Sequence, residues 1–195
     1  MEPINTRAPA AAARAYVQLG WPVSLGHRLR PRQGCTCENR DCPTPGAHPV
    51  VSPGPRLVEA SVEEMLQSTP GGSLIASTTH FDAVLMPFRV GMVAMLQLDR
   101  IGRVPCLVTH GRTAALLVLP ATGRYAAVHD GVEVRTGPEG WIALPPSNGA
   151  IWDTQPWVES TNTPHPLMHG EDVGREVTAA YRMAIGTSET EGALR

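Results

Sequence analysis

Apolar positions between Pro9 and Leu19 recur at helical spacing: Ala11, Ala12, Ala15, Tyr16 and Leu19 share one face, and Gly20 follows where a helix would stop. Trp21 to Leu25 reads as a short strand. Ser61-Val62-Glu63-Glu64 has the form of a capping box, which predicts a helix to about Gln67, closed by Pro70-Gly71-Gly72. Two apolar runs, Ser73 to Ala76 and Phe81 to Met86, are split by the polar Ser77-Thr78-Thr79-His80 and predict adjacent strands. Val90, Ala94, Leu98 and Ile101 fall on one helical face, and Met92, Met95 and Leu96 widen that stripe into a core-packing helix. Pro105 to Val108 and Ala114 to Leu119 predict a hairpin around His110-Gly111-Arg112. Gly131 to Arg135 and Gly140 to Leu144 predict another, with Gly137-Pro138 in its turn. Glu171 to Ile185 is a final helix. The order of these elements implies an α+β domain, a mixed sheet covered on one side, over residues 9–185, with flexible ends at 1–8 and 186–195.

Composition narrows this only a little. A chain of 195 residues can bury a substantial core, and a net charge of −2 argues against a uniformly basic nucleic-acid coat while leaving room for a local basic face. All 16 basic residues are arginine, a bias of genomic base composition rather than of any one site. No stretch reaches the about 18 apolar residues that a membrane span needs. The first residues lack a basic-then-apolar leader pattern, so a cytoplasmic protein without membrane contact is expected, in agreement with free thiols.

Candidate chemistry concentrates in Gly34 to Pro49. Cys35, Cys37, Cys42 and His48 form a Cys-x-Cys-x4-Cys-x5-His pattern inside a segment where Pro43, Pro45, Gly46 and Pro49 bar a regular helix or central strand. Three sulfurs and an imidazole are a complete tetrahedral set for Zn²⁺, and a closed set of four is structural because no position stays open for substrate or water. Reduced, unliganded cysteines or a disulfide are the alternatives. Cys106, alone in an apolar run, reads as a small buried hydrophobe. Just before the loop, His27, Arg28, Arg30 and Arg32 could face phosphates or simply solvent.

Three segments in order, Gly20-Trp21-Pro22-Val23, the Cys-Cys-Cys-His loop ending Gly46-Ala47-His48-Pro49, and Gly140-Trp141-Ile142-Ala143-Leu144-Pro145-Pro146-Ser147, resemble the bifunctional DNA primase/polymerase (prim-pol) domain of the archaeo-eukaryotic primase superfamily. The resemblance runs from about residue 9 to 185. It implies a sheet of RNA-recognition-motif type with covering helices, joined to an N-terminal α/β portion that carries the zinc loop. Active members hold divalent metal with two acidic residues one apart on a strand, supply a histidine for the nucleotide phosphates from a second motif, and add a carboxylate from a third. The first pair of positions falls on Leu85 and Pro87, neither of which can ligate a metal through its side chain, and the histidine position falls on or near Ala115. Only the third motif matches, with Glu133 as the carboxylate and Arg135 as the basic residue after it. Those two residues read equally well as a strand-edge ion pair.

The resemblance therefore implies a degenerate member, a pseudoenzyme that associates with DNA or nucleotides, or with replication or regulatory proteins. Arg28, Arg30, Arg32 and Arg135 are its candidate nucleic-acid contacts, and Mg²⁺ or Mn²⁺ is expected only if activity remains. Two other readings are an active primase or polymerase using Asp82, Glu133 and His110 from displaced positions, and a protein-protein adaptor. Asp82 lies on the opposite strand face from Leu85, which speaks against the first. His165 and His169 have metal spacing, but Pro164 and Pro166 bar the helix that would align them. Trp152 and Trp157 are read as capping the sheet end rather than stacking on a base. Neither a Gly-x4-Gly-Lys phosphate loop nor a Gly-x-Ser-x-Gly elbow is present, so nucleophilic hydrolysis has no support.

Overall fold

The computed structural model describes residues 4–51, 56–110 and 112–192. Of the ends expected to be flexible, residues 1–3 and 193–195 lie outside the described residues, as does Gly111 of the expected His110-Gly111-Arg112 turn. In chain order the elements are α1 (Pro9–Gln18), β1 (Val23–Gly26), β2 (Leu29–Arg30), β3 (Gly34–Cys35), α2 (Val62–Ser68), β4 (Ser73–Pro87), α3 (Phe88–Leu98), β5 (Cys106–Thr109), β6 (Thr113–Val118), β7 (Glu133–Leu144), β8 (Ala150–Thr154) and α4 (Gly170–Gly192). Short 3-10 turns lie at Glu59–Ser61 and Gly123–Ala126.

The molecule is built around β4. The two apolar runs expected as separate strands form one strand of 15 residues, and the polar segment between them stays extended. The expected hairpin between Gly131 and Leu144 is likewise one strand, β7, lying antiparallel along β4. Both strands bulge at the same level. Ser77 pairs with Trp141, Thr78 with Gly137 and Ala83 with Arg135, so each strand carries residues that the other does not match. The turn signals Gly137-Pro138 and Gly140 are real, but they serve this bulge: a side chain at Gly140 would collide with the Thr78 hydroxyl. Across the bulge the inward parity of β4 switches, from Leu74 and Ala76 to Phe81, Ala83 and Leu85, which keeps one face of a bent strand on one core.

The main sheet runs β1-β4-β6-β5-β8, with β7 also on β4, and all these pairings are antiparallel. The sheet is thus antiparallel rather than mixed, and helices cover both of its faces rather than one. Ala12, Ala13 and Tyr16 of α1 and Val62 of α2 pack with Ala83, Leu107 and Leu117 on one side. Val90, Ala94 and Leu98 of α3 and Val173, Val177 and Ala180 of α4 pack with Val84, Leu116 and Val118 on the other. Ile101 was expected to extend the α3 stripe. The helix ends at Leu98 instead, and Ile101 is 61% exposed. Helix α4 continues past Ile185, its backbone helical to Gly192. Among the described residues no helix is long and apolar enough to cross a membrane.

Aromatic packing closes the α1 side. Trp21 lies 5.9 Å from Tyr16 and 4.7 Å from Phe81, ring centre to ring centre, and Trp157 is buried beside them. The Tyr16 hydroxyl accepts from Trp152 Nε1 at 2.9 Å and donates to the Pro145 carbonyl at 3.0 Å. Burial holds the Tyr16 phenol far above its ordinary pKa, against the Trp152 hydrogen bond that lowers it. Trp157 is a core residue and Trp152, half-buried, packs against the same cluster. The Pro145–Pro146 bond is cis, and Ser147 behind it is buried. Its Oγ accepts from Leu74 N at 2.9 Å and donates to Leu74 O at 3.1 Å, satisfying both main-chain groups at the start of β4.

The capping box expected at Ser61 is not formed. Ser61 Oγ turns back to Val58, donating to its carbonyl at 3.1 Å and accepting from its amide at 3.3 Å, because a 3-10 turn precedes α2 and takes the hydroxyl.

Candidate functional site

The hairpin of β2 and β3 reverses at Arg32 and Gly34, both in the left-handed region, and pairs Leu29 with Cys35. It delivers Cys35 to the start of a loop that returns Cys37, Cys42 and His48 to the same point. The four ligating atoms lie within 4.8 Å of one another, and among the described residues this is the cluster of at least three such groups that could hold a metal ion. Cys35 Sγ and Cys42 Sγ stand 3.3 and 3.4 Å from His48 Nε2. Sulfur and nitrogen ligands of a tetrahedral ion are separated by about 3.6 Å, so these contacts fit a metal with little movement. All four cysteines are free, which excludes the disulfide alternative in this structure.

The surroundings of the cluster select the ligating atoms. His48 Nδ1 lies 3.1 Å from the Pro49 carbonyl, which fixes the proton on Nδ1 and leaves Nε2 to ligate. Burial raises the Cys35 thiol, but the Cys37 and Gly46 amides and the Cys37 and His48 side chains together bring it down to about 6. Burial, with the neighbouring sulfurs of Cys37 and Cys35 adding to it, pushes Cys42 up to about 11. One thiol ionises readily and opposes ionisation of the next; a cation is what allows all three to lose their protons together. Behind the cluster, the His27 ring lies 4.5 Å from that of His48 and its pKa is lowered by burial and by His48. Gly46 has φ +68°, and a Cβ there would come within 2.5 Å of Leu29 N, so the loop requires glycine at this turn.

The metal loop docks on the sheet. Ala47 is buried against Ile75 and Ala143, and Asn148 Nδ2 donates to Pro45 O at 2.9 Å. Between loop and sheet is a cleft of about 300 Å³. Pro43, Thr44 and Ala47 form one wall, and Leu85, Ala115 and Ala143 lie on the opposite side. Strand register explains how those residues meet. Leu85 pairs with Ala115 on β6 and with Glu133 on β7, so the three stand side by side on adjacent strands and face the cleft together. Glu133 and Arg135 are joined at 2.6 Å, and Arg135 also donates to Trp141 O at 3.0 Å and lies over the Trp141 ring. The ion-pair reading of Glu133 and Arg135 is what the geometry shows.

Asp82 does not reach this cleft. Three residues before Leu85, it points to the α4 side of the sheet and is 1% exposed. Its Oδ2 accepts from Gly123 N at 2.8 Å and its Oδ1 from Thr136 Oγ1 at 2.6 Å, so it anchors the Gly123–Ala126 turn to the β7 bulge. His110, at the β5–β6 turn with φ +49°, does line the cleft, together with Arg112. Pro87 closes β4 opposite Thr113.

The other candidates lie apart. Arg28 donates to Pro70 O at 2.6 Å, and with Arg30 it borders a separate open hollow beside Pro70 and Gly71; Arg30 and Arg32 are exposed. These arginines share the metal hairpin but not the cleft. His169 lies against Tyr125, with its Nδ1 accepting from Glu171 N at the start of α4, and among the described residues neither it nor His165 belongs to a group of three or more metal-ligating side chains. Cys106 is fully buried, and burial with Asp153 nearby pushes its thiol up to about 12. Nothing local in the sequence marks Asn148 or Trp141 individually as site residues: their part depends on contacts with residues far away along the chain. No family model, curated protein or solved structure matches the chain.

Proposed function

We propose that this chain is a nucleic-acid-associated or protein-binding module on a primase/polymerase-like scaffold that has lost nucleotidyl transfer, with Zn²⁺ holding its N-terminal portion. The observation that carries this reading is the row Leu85, Ala115 and Glu133, three positions that the resemblance assigns to catalysis and that lie side by side facing one cleft. Two of the three have hydrocarbon side chains. Phosphoryl transfer by two metal ions requires carboxylates to clamp the attacking and leaving oxygens, and Mg²⁺ requires an octahedron of oxygens. Glu133 is the one carboxylate in the row, and Arg135 already holds it. Asp82 is on the other face with both oxygens engaged, which removes support from catalysis by displaced acids.

Zn²⁺ is favoured by the donor set of three sulfurs and one imidazole. Bound there, it would cross-link the hairpin to the loop, with Cys35, Cys37, Cys42 and His48 as its ligands. Arg30 and Arg32, exposed beside the tethered Arg28, supply the positive charge for phosphate contact.

Nucleotide incorporation on primed and unprimed templates, with Mg²⁺ or Mn²⁺ and beside an active prim-pol protein, is expected to be absent. Incorporation that disappears in Glu133→Ala would overturn the inactive reading. Binding to single- and double-stranded DNA should weaken steeply with salt. Replacing Arg28, Arg30 and Arg32 by alanine should lower the slope of log K against log salt by about 0.7–0.9 for each phosphate no longer neutralised. An absence of binding even at low salt removes the nucleic-acid half and leaves a protein partner.

A further inference from the structure

The wall of the cleft is slung between two metal ligands. Pro43 to Ala47 begins directly after Cys42 and ends directly before His48, so an ion at the cluster fixes both ends of the segment that faces Leu85 and Ala115. From the middle of the segment a chain of hydrogen bonds crosses to the far rim. Asn148 Nδ2 donates to Pro45 O at 2.9 Å, and the next residue, Gly149, accepts at its carbonyl from His110 N at 2.7 Å. Gly149 has φ +71°, and the His110 ring packs so closely on it that a Cβ would collide with the imidazole. His110 and Arg112, on the β5–β6 turn, complete the rim.

We propose that the metal centre is the latch of the cleft: metal occupancy sets the wall at residues 43–47 and, through Asn148 and Gly149, the β5–β6 turn that carries His110 and Arg112. Metal loss releases both ends of the wall, and Asn148, next to the Gly149 carbonyl that holds His110 N, loses the Pro45 oxygen that ties it to the wall. A ligand that fills the cleft therefore binds in proportion to metal occupancy, and its binding raises metal affinity in return, as linkage requires. The coupling itself rests on the geometry of wall and rim; only its consequence for nucleic acid rests on the function proposed above.

Backbone hydrogen exchange on the whole chain, zinc-loaded and zinc-stripped with metal content measured, tests the latch. The expected result is exchange about tenfold faster or more in the stripped protein at residues 43–49 and also at 147–150 and 109–113, with α3 and the 173–180 segment of α4 unchanged. Asn148→Ala, which leaves all four ligands in place, should retain zinc and still speed exchange at 109–113, with metal removal then adding little there. Two outcomes overturn the proposal: acceleration confined to residues 35–49, or an Asn148→Ala protein in which stripping accelerates the turn as much as in wild type. Binding of a single-stranded oligothymidylate probe provides a second arm. Loss on stripping of the binding that depends on Arg112, in the cleft, supports the latch, and Arg112-dependent binding that is equal with and without zinc contradicts it. If the probe binds in neither state, the nucleic-acid reading fails and the exchange results alone decide the latch.

Discussion

Asp82→Ala separates a structural carboxylate from a catalytic one. The side chain is 1% exposed and accepts two hydrogen bonds, from Gly123 N at 2.8 Å and Thr136 Oγ1 at 2.6 Å. A hydrogen bond to a charged group contributes about 1.5–3 kcal/mol, and alanine removes both while leaving the Gly123 amide without its partner. At the lower end the loss is about 3 kcal/mol. For a chain of this size each kcal/mol lowers the melting temperature by about 2–4 °C, so a fall of about 6–12 °C is expected by calorimetry or circular dichroism. Asp82→Asn offers a sharper comparison. Its carbonyl can still accept from Gly123 N, and its amide can donate to a rotated Thr136 hydroxyl, so the cost should drop to about 1 kcal/mol. An alanine variant melting within about 2 °C of wild type would refute the anchoring role and make Asp82 a catalytic candidate again.

Ser147→Ala should destabilise by about 1–3 kcal/mol, read from a urea midpoint, since both main-chain groups of the buried Leu74 lose their partner. Gly46→Ala should weaken metal binding in a competition titration with a chromogenic chelator while leaving the sheet folded, because φ +68° and the approach to Leu29 N both oppose a Cβ. In metal-free protein, Cys35 ionises at about 6 against an ordinary value of 9.0. A depressed folded pKa means that the contribution is complete above the unfolded value and lost as pH falls, so the melting temperature should decline from pH 9 to pH 6. Cys35→Ser should flatten that slope; a slope unchanged in the variant assigns it to another group.

Most of the helices were legible because their signals are local. Proline at the start and glycine at the end bracket α1, and the apolar stripe of α3 repeats within the helix itself. The two long strands were not legible as such. Ser77 to His80 is polar and Gly137 to Gly140 is turn-like, and each segment taken alone reads as a break; opposite one another they make a shared bulge. A capping box at Ser61 was equally sound locally, yet the preceding 3-10 turn competes for the hydroxyl.

The sequence by itself determined the set of four candidate metal ligands, since four donors within a short, proline-rich loop can converge without help from the rest of the chain. It also determined that Leu85, Pro87 and Ala115 carry no ligating side chain. Only the tertiary structure decided that Leu85, Ala115 and Glu133 form one row, that Asp82 is spent on the Gly123 turn, and that the metal loop is a wall tied through Asn148 to His110. The physical reason is range. Ligand identity and turn propensity act over a few bonds, whereas strand register and buried hydrogen-bond partners are fixed by contacts between segments tens of residues apart, where a single bulge changes which side chains share a face.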